Sequence, residues 1–261
     1  MGQEPFTFDY FKKEVAFYGD IPPTKIENLA YDLTTLSGEL MDYFNKNYYI
    51  TDFQIPRLKI DGKVWMSITP MEVQSMYAAI QQAQYDVYTA GLGLGYFPLK
   101  AAAKEDVDRV IVYEQHPTII KMFNKNFSDR PEWSKIEIRQ ADFLEALRNG
   151  DIDQDEFIFS DIYQTLNGDE ALDHYEEFAP DYPGYCFWGQ ERLLLDAVFA
   201  YETRPPFLYP VYRRLFTAWL NTSVGEAVGD DSLNHVPLKD MYEPIWTEND
   251  CERFLEVFGA Q

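Results

Sequence analysis

Short apolar runs alternate with amphipathic segments over the central part of the chain. Each run is long enough for a buried strand, and the segments between the runs carry apolar residues at helical spacing. The predicted strands cover residues 86–89, 109–113, 136–139 and 156–160, with a fifth candidate at 185–188. The predicted helices cover residues 98–104 and 117–126, and a further one begins at Phe143. This alternation predicts a doubly wound α/β fold with a mainly parallel sheet.

The N-terminal segment has a different pattern. Its apolar residues recur at spacings of three and four, which would place them on one stripe of a helix: Ile26, Leu29, Ala30, Leu33, Leu36, Leu40, Met41 and Phe44. Pro22 and Pro23 stand just before the stripe, where prolines commonly begin a helix. We therefore expect residues 1–56 to form a helical extension, which packs on the main domain or on a second copy in a homodimer.

A hairpin signal follows the N-terminal segment. Two apolar runs flank Asp61-Gly62, and this dipeptide readily takes the positive φ angles of a tight turn. Thr69-Pro70 then provides a capping residue and a first-turn proline, with Glu72 placed to complete a capping box. A short helix is predicted to begin there.

Four regions result from these patterns. We expect the helical extension at residues 1–56, a β-hairpin at 57–69, a Rossmann-like nucleoside-binding domain at 70–203 and a helical C-terminal extension at 204–261. Within the last two regions, helices are predicted at residues 190–201, at 211–220 and from 247 onward.

Charge narrows the choice of partners. The chain has 44 acidic and 22 basic residues, with a formal net charge of -22, and no basic run. Nucleic-acid binding normally depends on Lys and Arg replacing counterions, so no nucleic-acid partner is expected. An acidic surface instead attracts a cationic small molecule or a basic protein region.

Other features bear on the compartment and on metals. The first residues lack the pattern of a signal peptide, and no apolar stretch is long enough to span a bilayer. We expect a cytoplasmic protein without a membrane partner. The three His and two Cys residues have no ligand-like spacing, so no metal is expected.

The glycines after the first predicted strand indicate a ligand site. Ligands of doubly wound sheets bind at the carboxyl ends of the strands, and glycine lets a ligand approach the backbone closely. Gly91, Gly93 and Gly95 stand at that position. The next residue is Tyr96, so the spacing departs from the G-x-G-x-x-G pattern of dinucleotide sites.

Carboxylates follow the next three strands. Glu114 stands where a carboxylate accepts hydrogen bonds from a ribose diol. Asp142 could reach the exocyclic amine of adenine, and Asp161 would face the reacting end of the ligand. Their order at successive strand ends predicts one nucleoside site.

Four segments carry a resemblance to a known family. Residues 89–97, 112–117, 140–143 and 159–163 resemble the motifs of class I S-adenosylmethionine-dependent methyltransferases, and the match covers roughly residues 86–190. The resemblance implies S-adenosylmethionine as the cofactor. Its implied contacts are the glycines for the methionine part, Glu114 for the ribose, and Asp142 with Phe143 for the adenine. The predicted cofactor-binding residues in full are Ala90, Gly91, Leu92, Gly93, Gly95, Glu114, Gln115, Asp142, Phe143 and Asp161.

Methyl transfer needs in-line placement of the acceptor and exclusion of water, with one side chain to orient the acceptor or take its proton. Asp161 is the first candidate for that catalytic role and Tyr163 the second. The alternatives are a helix cap for Asp161 and a core or rim aromatic for Tyr163.

Three functions stay open at this point. The first is a methyltransferase acting on a small-molecule or protein acceptor. The second is an aminopropyltransferase, because the hairpin, short helix and nucleoside-binding unit also resemble the spermidine synthase branch of the fold. Leu92 and Leu94 in the first loop and the lone Asp161 in the fourth motif depart from that branch. The third is a cofactor-binding interaction protein without catalysis.

Overall fold

The computed structural model describes residues 7–19, 21–43, 47–163 and 169–190. The helices predicted at 190–201, at 211–220 and from 247 onward lie outside the described residues, apart from Gln190, as does the whole C-terminal extension 204–261.

The central unit is a five-stranded parallel sheet. Its strands are β5 (Tyr85–Ala90), β6 (Val107–Tyr113), β7 (Ile136–Arg139), β8 (Phe157–Ser160) and β9 (Tyr185–Phe187). They lie in the order β7-β6-β5-β8-β9, and all four neighbouring pairs are parallel. The doubly wound α/β prediction is confirmed, and each strand begins and ends within two residues of its predicted bounds.

Helices connect the parallel strands. They are α4 (Tyr96–Ala102), α5 (Pro117–Phe127), α6 (Phe143–Asn149) and α7 (Asp169–Phe178), with a 3-10 turn over Pro131–Lys135. The chain adds β6 and β7 on one side of β5 and then returns to add β8 and β9 on the other side. Such a reversal leaves a crevice at the carboxyl ends of the strands, and this crevice is where open α/β sheets bind ligands.

The N-terminal segment corrects the helical prediction for residues 1–56. After α1 (Phe8–Phe17) the chain forms a four-stranded antiparallel sheet of β1 (Thr24–Ile26), β2 (Leu29–Met41), β3 (Asn47–Ile60) and β4 (Lys63–Ser67). A spacing of four residues fits both a helix and one face of a strand. The apolar pattern therefore did not distinguish between the two, and the helical prediction was wrong. The twelve residue pairs that join β2 to β3 decide for the sheet.

The predicted hairpin is present between β3 and β4. Asp61 and Gly62 both have positive φ, at 51° and 78°, as the tight turn requires. Behind it, α2 (Pro70–Ser75) and α3 (Tyr77–Gln82) lead into β5. The Thr69 hydroxyl accepts a hydrogen bond from the Glu72 N–H at 3.3 Å, so the predicted cap is formed.

Helix α1 is held against the parallel unit by a buried carboxylate. Glu14 is 5% exposed. It accepts a hydrogen bond from the Tyr96 hydroxyl at 2.7 Å and pairs with the Lys100 ammonium at 2.8 Å. Phe8 and Phe11 of the same helix pack on Phe53 of β3. Helix α1 therefore joins the two sheets.

Replacing Glu14 tests this joint. The variant Glu14→Gln keeps the side chain's shape but leaves Lys100 without its counter-charge, so we expect a loss of about 1–3 kcal/mol in the free energy of unfolding. Urea denaturation measures it. The exposed Glu105 provides the control, because Glu105→Gln should change the stability by no more than about 0.5 kcal/mol. Equal effects of the two variants would contradict the role given to Glu14.

Candidate functional site

A cavity of about 830 Å³ opens at the carboxyl ends of the parallel strands. The β3–β4 hairpin and the start of α2 form one wall, and the loops after β5, β6, β7, β8 and β9, with the first turns of α5 and α6, form the rest. Its lining includes Gly91, Gly93, Glu114, Gln115, Asp142, Phe143, Asp161 and Tyr163 from the predicted site, together with Glu72, Trp65 and Trp188. The structure thus brings three of the predicted carboxylates to one cavity, as the order of the strand ends implied.

Gly91 lies at the junction of three strands. Its N–H donates to the Tyr113 carbonyl at 2.9 Å, and the Asp161 N–H donates to the Ala90 carbonyl at 3.0 Å. A Cβ on Gly91 would lie 2.3 Å from the Asp161 carbonyl oxygen, and its φ of +87° further favours glycine. The loops that carry Glu114 and Asp161 can approach each other this closely only with glycine between them.

The other two glycines also make room for protein atoms. A Cβ on Gly93 would lie 2.7 Å from the Met66 sulfur, and one on Gly95 would lie 2.1 Å from the Phe123 ring. The sequence interpretation, in which the glycines make room for a ligand, did not include this packing role of Gly93 and Gly95, and ligand contact at these glycines stays a prediction. Among the described residues, Gly91 and Gly93 line the cavity, whereas Ala90, Leu92 and Gly95 are not part of its lining.

Glu114 is held in place by backbone N–H groups. One carboxylate oxygen accepts from the Leu92 N–H at 3.0 Å and the other from the His116 N–H at 2.7 Å. The side chain is 8% exposed and faces the cavity. Each carboxylate oxygen has two lone pairs, so one on each oxygen remains for a ligand. This arrangement fits a ribose diol.

The loop after β7 forms the far wall. Asp142 caps helix α6 by accepting from the Glu145 N–H at 3.0 Å, and its other oxygen accepts from the Gln115 side chain at 2.7 Å. Phe143 is buried and packs edge-on against Tyr113 with ring centroids 5.6 Å apart. Asp142 is therefore positioned at the cavity by its role as a cap. Its contact with an adenine amine stays a prediction.

A second carboxylate, which the sequence interpretation missed, accompanies Asp161. The Glu72 side chain lines the same cavity. Burial, and then the charge of Asp161, raise the pKa of Glu72 well above its usual value, and burial raises the pKa of Asp161 to about 7. The two carboxyl groups therefore influence each other's charge. Glu72 was noticed in the sequence, but its carboxylate was assigned to the capping box of helix α2.

Tyr163 lies at the edge of the cavity, but its hydroxyl belongs to a polar cluster. That hydroxyl lies 3.2 Å from His174 Nδ1 and 3.1 Å from the Tyr185 hydroxyl, and it accepts from Ser160 at 3.4 Å. Burial raises its pKa. The cluster joins the end of β8 to α7 and β9, so the geometry favours the positioning of this wall over proton transfer by Tyr163.

The described lining is strongly acidic. It contains Glu72, Glu114, Asp142 and Asp161 but neither Lys nor Arg. Nδ1 of His116, the histidine of this described lining, accepts a hydrogen bond from the Thr118 N–H at 3.3 Å. A ligand with positive charge is therefore favoured over an anionic one.

Comparisons with known proteins give structural matches alone. No family model matches the sequence, and no curated protein does. Three of the matching solved structures are a precorrin 8w decarboxylase from Methanobacterium thermoautotrophicum (21% identity, TM-score 0.35), a spermidine synthase from Thermotoga maritima (13%, 0.33) and the 23S rRNA methyltransferase ErmE (24%, 0.28). The matches cover 46%, 60% and 35% of this chain and 61%, 62% and 34% of those chains, respectively.

The likeness is one of fold. The doubly wound α/β fold that the sequence predicted is established by the strand order and the parallel pairing of this chain itself. The chain spans less than two thirds of the length of each of these proteins. The TM-scores are below 0.5, so residue roles depend on the geometry of this chain.

Two further findings concern the described residues. None of their helices is both long and apolar enough to cross a membrane. Nor do they contain a group of three or more His, Cys, Asp or Glu side chains that could hold a metal ion.

The role of Gly95 can be tested against a matched glycine. Gly95→Ala adds a methyl group that meets the Phe123 ring, whereas Gly150, with a similar φ of +72°, has nothing within 4 Å. We expect Gly150→Ala to cost about 1 kcal/mol for the left-handed backbone and Gly95→Ala to cost at least about 2 kcal/mol in urea denaturation. Equal losses would show that the ring moves aside freely.

The pKa of Asp161 predicts a pH-dependent stability effect. The folded protein binds this proton up to about pH 7, whereas the unfolded chain releases it near pH 4. The stability contributed by this group therefore falls as the pH rises across that range. Asp161→Asn should stabilise the protein more at pH 8 than at pH 5, by on the order of 1 kcal/mol. Thermal unfolding at both pH values measures this, with the exposed Asp129→Asn as the control, for which no difference is expected.

Proposed function

We propose that this protein is an S-adenosylmethionine-dependent methyltransferase acting on a small-molecule or protein acceptor. The observation that carries the proposal is the Glu114 carboxylate, oriented by two backbone N–H groups at the wall of a nucleoside-sized cavity. The junction at Gly91 supports it, because it sets Asp161 across the cavity from that carboxylate.

The residues present fit the cofactor. Glu114 would hold the ribose, and the Asp142–Phe143 wall would border the adenine. The backbone at Gly91 and Gly93 would lie beside the methionine part. When bound, the cofactor supplies an electrophilic carbon on a sulfonium centre, and the acidic lining would stabilise that positive charge.

Asp161 would act on the acceptor side. Its pKa of about 7 suits a group that takes a proton near neutral pH. Glu72, from a different element of the fold, would lie beside Asp161 on the acceptor side. The net charge of -22 makes a nucleic-acid acceptor unfavourable.

The charge of the lining supports aminopropyl transfer as a second candidate. S-adenosylmethionine carries a carboxylate, and the described lining of this cavity has no Lys or Arg to pair with it. The decarboxylated form has only the sulfonium and the amine, so four acidic side chains would favour it electrostatically.

Calorimetric titration separates these functions. We expect S-adenosylmethionine and S-adenosylhomocysteine to bind, and Glu114→Gln to weaken both by roughly 10- to 100-fold, because the amide presents a donor where two backbone donors already point. The exposed Glu145→Gln is the matched control and should leave both affinities unchanged.

The titration outcomes distinguish the three candidate functions. Tighter binding of the decarboxylated form than of S-adenosylmethionine would select aminopropyl transfer. No binding of any of the three ligands would reject both enzymes. Cofactor binding without turnover over a broad panel of acceptors, with Asp161→Asn making no difference to either, would favour a non-catalytic interaction protein.

A further inference from the structure

We infer that the acceptor is an amphipathic amine, whose protonated nitrogen binds between Glu72 and Asp161 and whose apolar body lies on a rim formed by Val64, Trp65 and Ile162. Asp161 would take the proton of the bound ammonium before methyl transfer, because only the neutral amine has a lone pair for the new C–N bond. This inference rests on the proposed function, since it assigns the second substrate of the same cavity. The inference is narrower than the proposed function, because it names two chemical features that a single acceptor must combine.

The carboxylate pair supplies the first feature. Glu72 comes from α2 and Asp161 from the loop after β8, and both line the cavity. Among the described residues, neither carboxylate has a hydrogen-bond donor or a basic side chain as its partner. A cation placed between the two half-buried groups would relieve their mutual repulsion and replace the part of their hydration that is lost.

The rim supplies the second feature. Trp65 is 56% exposed, Val64 54% and Ile162 40%, and all three line the cavity. They lie on two different elements, the β3–β4 hairpin and the loop after β8. Large apolar side chains exposed around the opening of an acidic cavity gain free energy when an apolar group covers them.

The two features are held at a fixed separation. The Met66 sulfur accepts a hydrogen bond from the Leu94 N–H at 3.3 Å, which ties the hairpin to the glycine loop. The Trp188 indole N–H donates to the Ser75 hydroxyl at 2.8 Å, which ties α2 to the end of β9. Both the rim and Glu72 are therefore anchored to the parallel unit that carries Asp161.

This arrangement discriminates between kinds of amine. An aliphatic diamine could place one ammonium between the carboxylates, but its second charge would then lie against the apolar rim and lose hydration. An aryl or long-chain carboxylate could cover the rim but would be repelled from Glu72 and Asp161. A monoamine with an aromatic or aliphatic body satisfies both parts of the cavity.

Titration of the 261-residue chain with three probes tests the inference. The probes are 2-phenylethylamine, 1,4-diaminobutane and 3-phenylpropionate, each titrated at pH 7.5 with saturating S-adenosylhomocysteine. We expect 2-phenylethylamine to bind at least about tenfold more tightly than either of the others, which corresponds to about 1.4 kcal/mol.

Two variants separate the parts of the cavity. Glu72→Gln should weaken 2-phenylethylamine by about tenfold or more, because the nitrogen loses one charge partner. Trp65→Ala should weaken the same probe by a similar factor while changing 1,4-diaminobutane by less than about threefold. The exposed Glu105→Gln and Tyr49→Ala are the matched controls, and thermal unfolding verifies that every variant is folded.

Two results would overturn the inference. Binding of 1,4-diaminobutane as tight as that of 2-phenylethylamine would reject the apolar half, and equal binding of 3-phenylpropionate would reject the charged half. If S-adenosylhomocysteine itself fails to bind, the proposed function fails, and the probes are titrated without it. Binding of 2-phenylethylamine that depends on Glu72 would then still support the amine site, whereas its absence would reject that site as well.

Discussion

The close approach of three strand ends at Gly91 is the constraint on which the site depends. The Gly91 N–H donates a hydrogen bond to the Tyr113 carbonyl at the end of β6. The Ala90 carbonyl accepts one from the Asp161 N–H at the start of the loop after β8. A side chain at position 91 would clash with the Asp161 backbone, so Gly91 must be glycine. The junction therefore sets the separation of the loops that carry Glu114 and Asp161, and it forms the floor of the cavity between them.

The cavity combines groups that are unfavourable for stability with groups that are favourable for binding. Glu72 and Asp161 are half-buried without a basic partner among the described residues, and their raised pKa values reflect the cost of that burial. Glu114, by contrast, is stabilised by two backbone N–H groups. The Glu114 end of the cavity is thus preorganised by hydrogen bonds, whereas the end with Glu72 and Asp161 carries charge that a cationic ligand would compensate.

The antiparallel sheet contributes to the site through its last hairpin. Met66 lies against the glycine loop, and Trp65 and Val64 border the opening of the cavity. Helix α1 secures the same sheet to the parallel unit through Glu14. The N-terminal sheet therefore forms part of the cavity wall, so both sheets shape the candidate site.

The sequence by itself determined the parallel unit and the carboxylates at its strand ends. Strict alternation of apolar runs with helical segments has one stable solution, and the residue after each strand then lies at one edge of the sheet. The tertiary structure decided the rest. A four-residue spacing such as Leu36 to Leu40 suits both a helix and a strand face, and only the pairing of β2 with β3 made it a strand. Contacts between distant segments likewise decided the positions of Glu72 and Met66, because no local pattern records which residues a folded chain brings together.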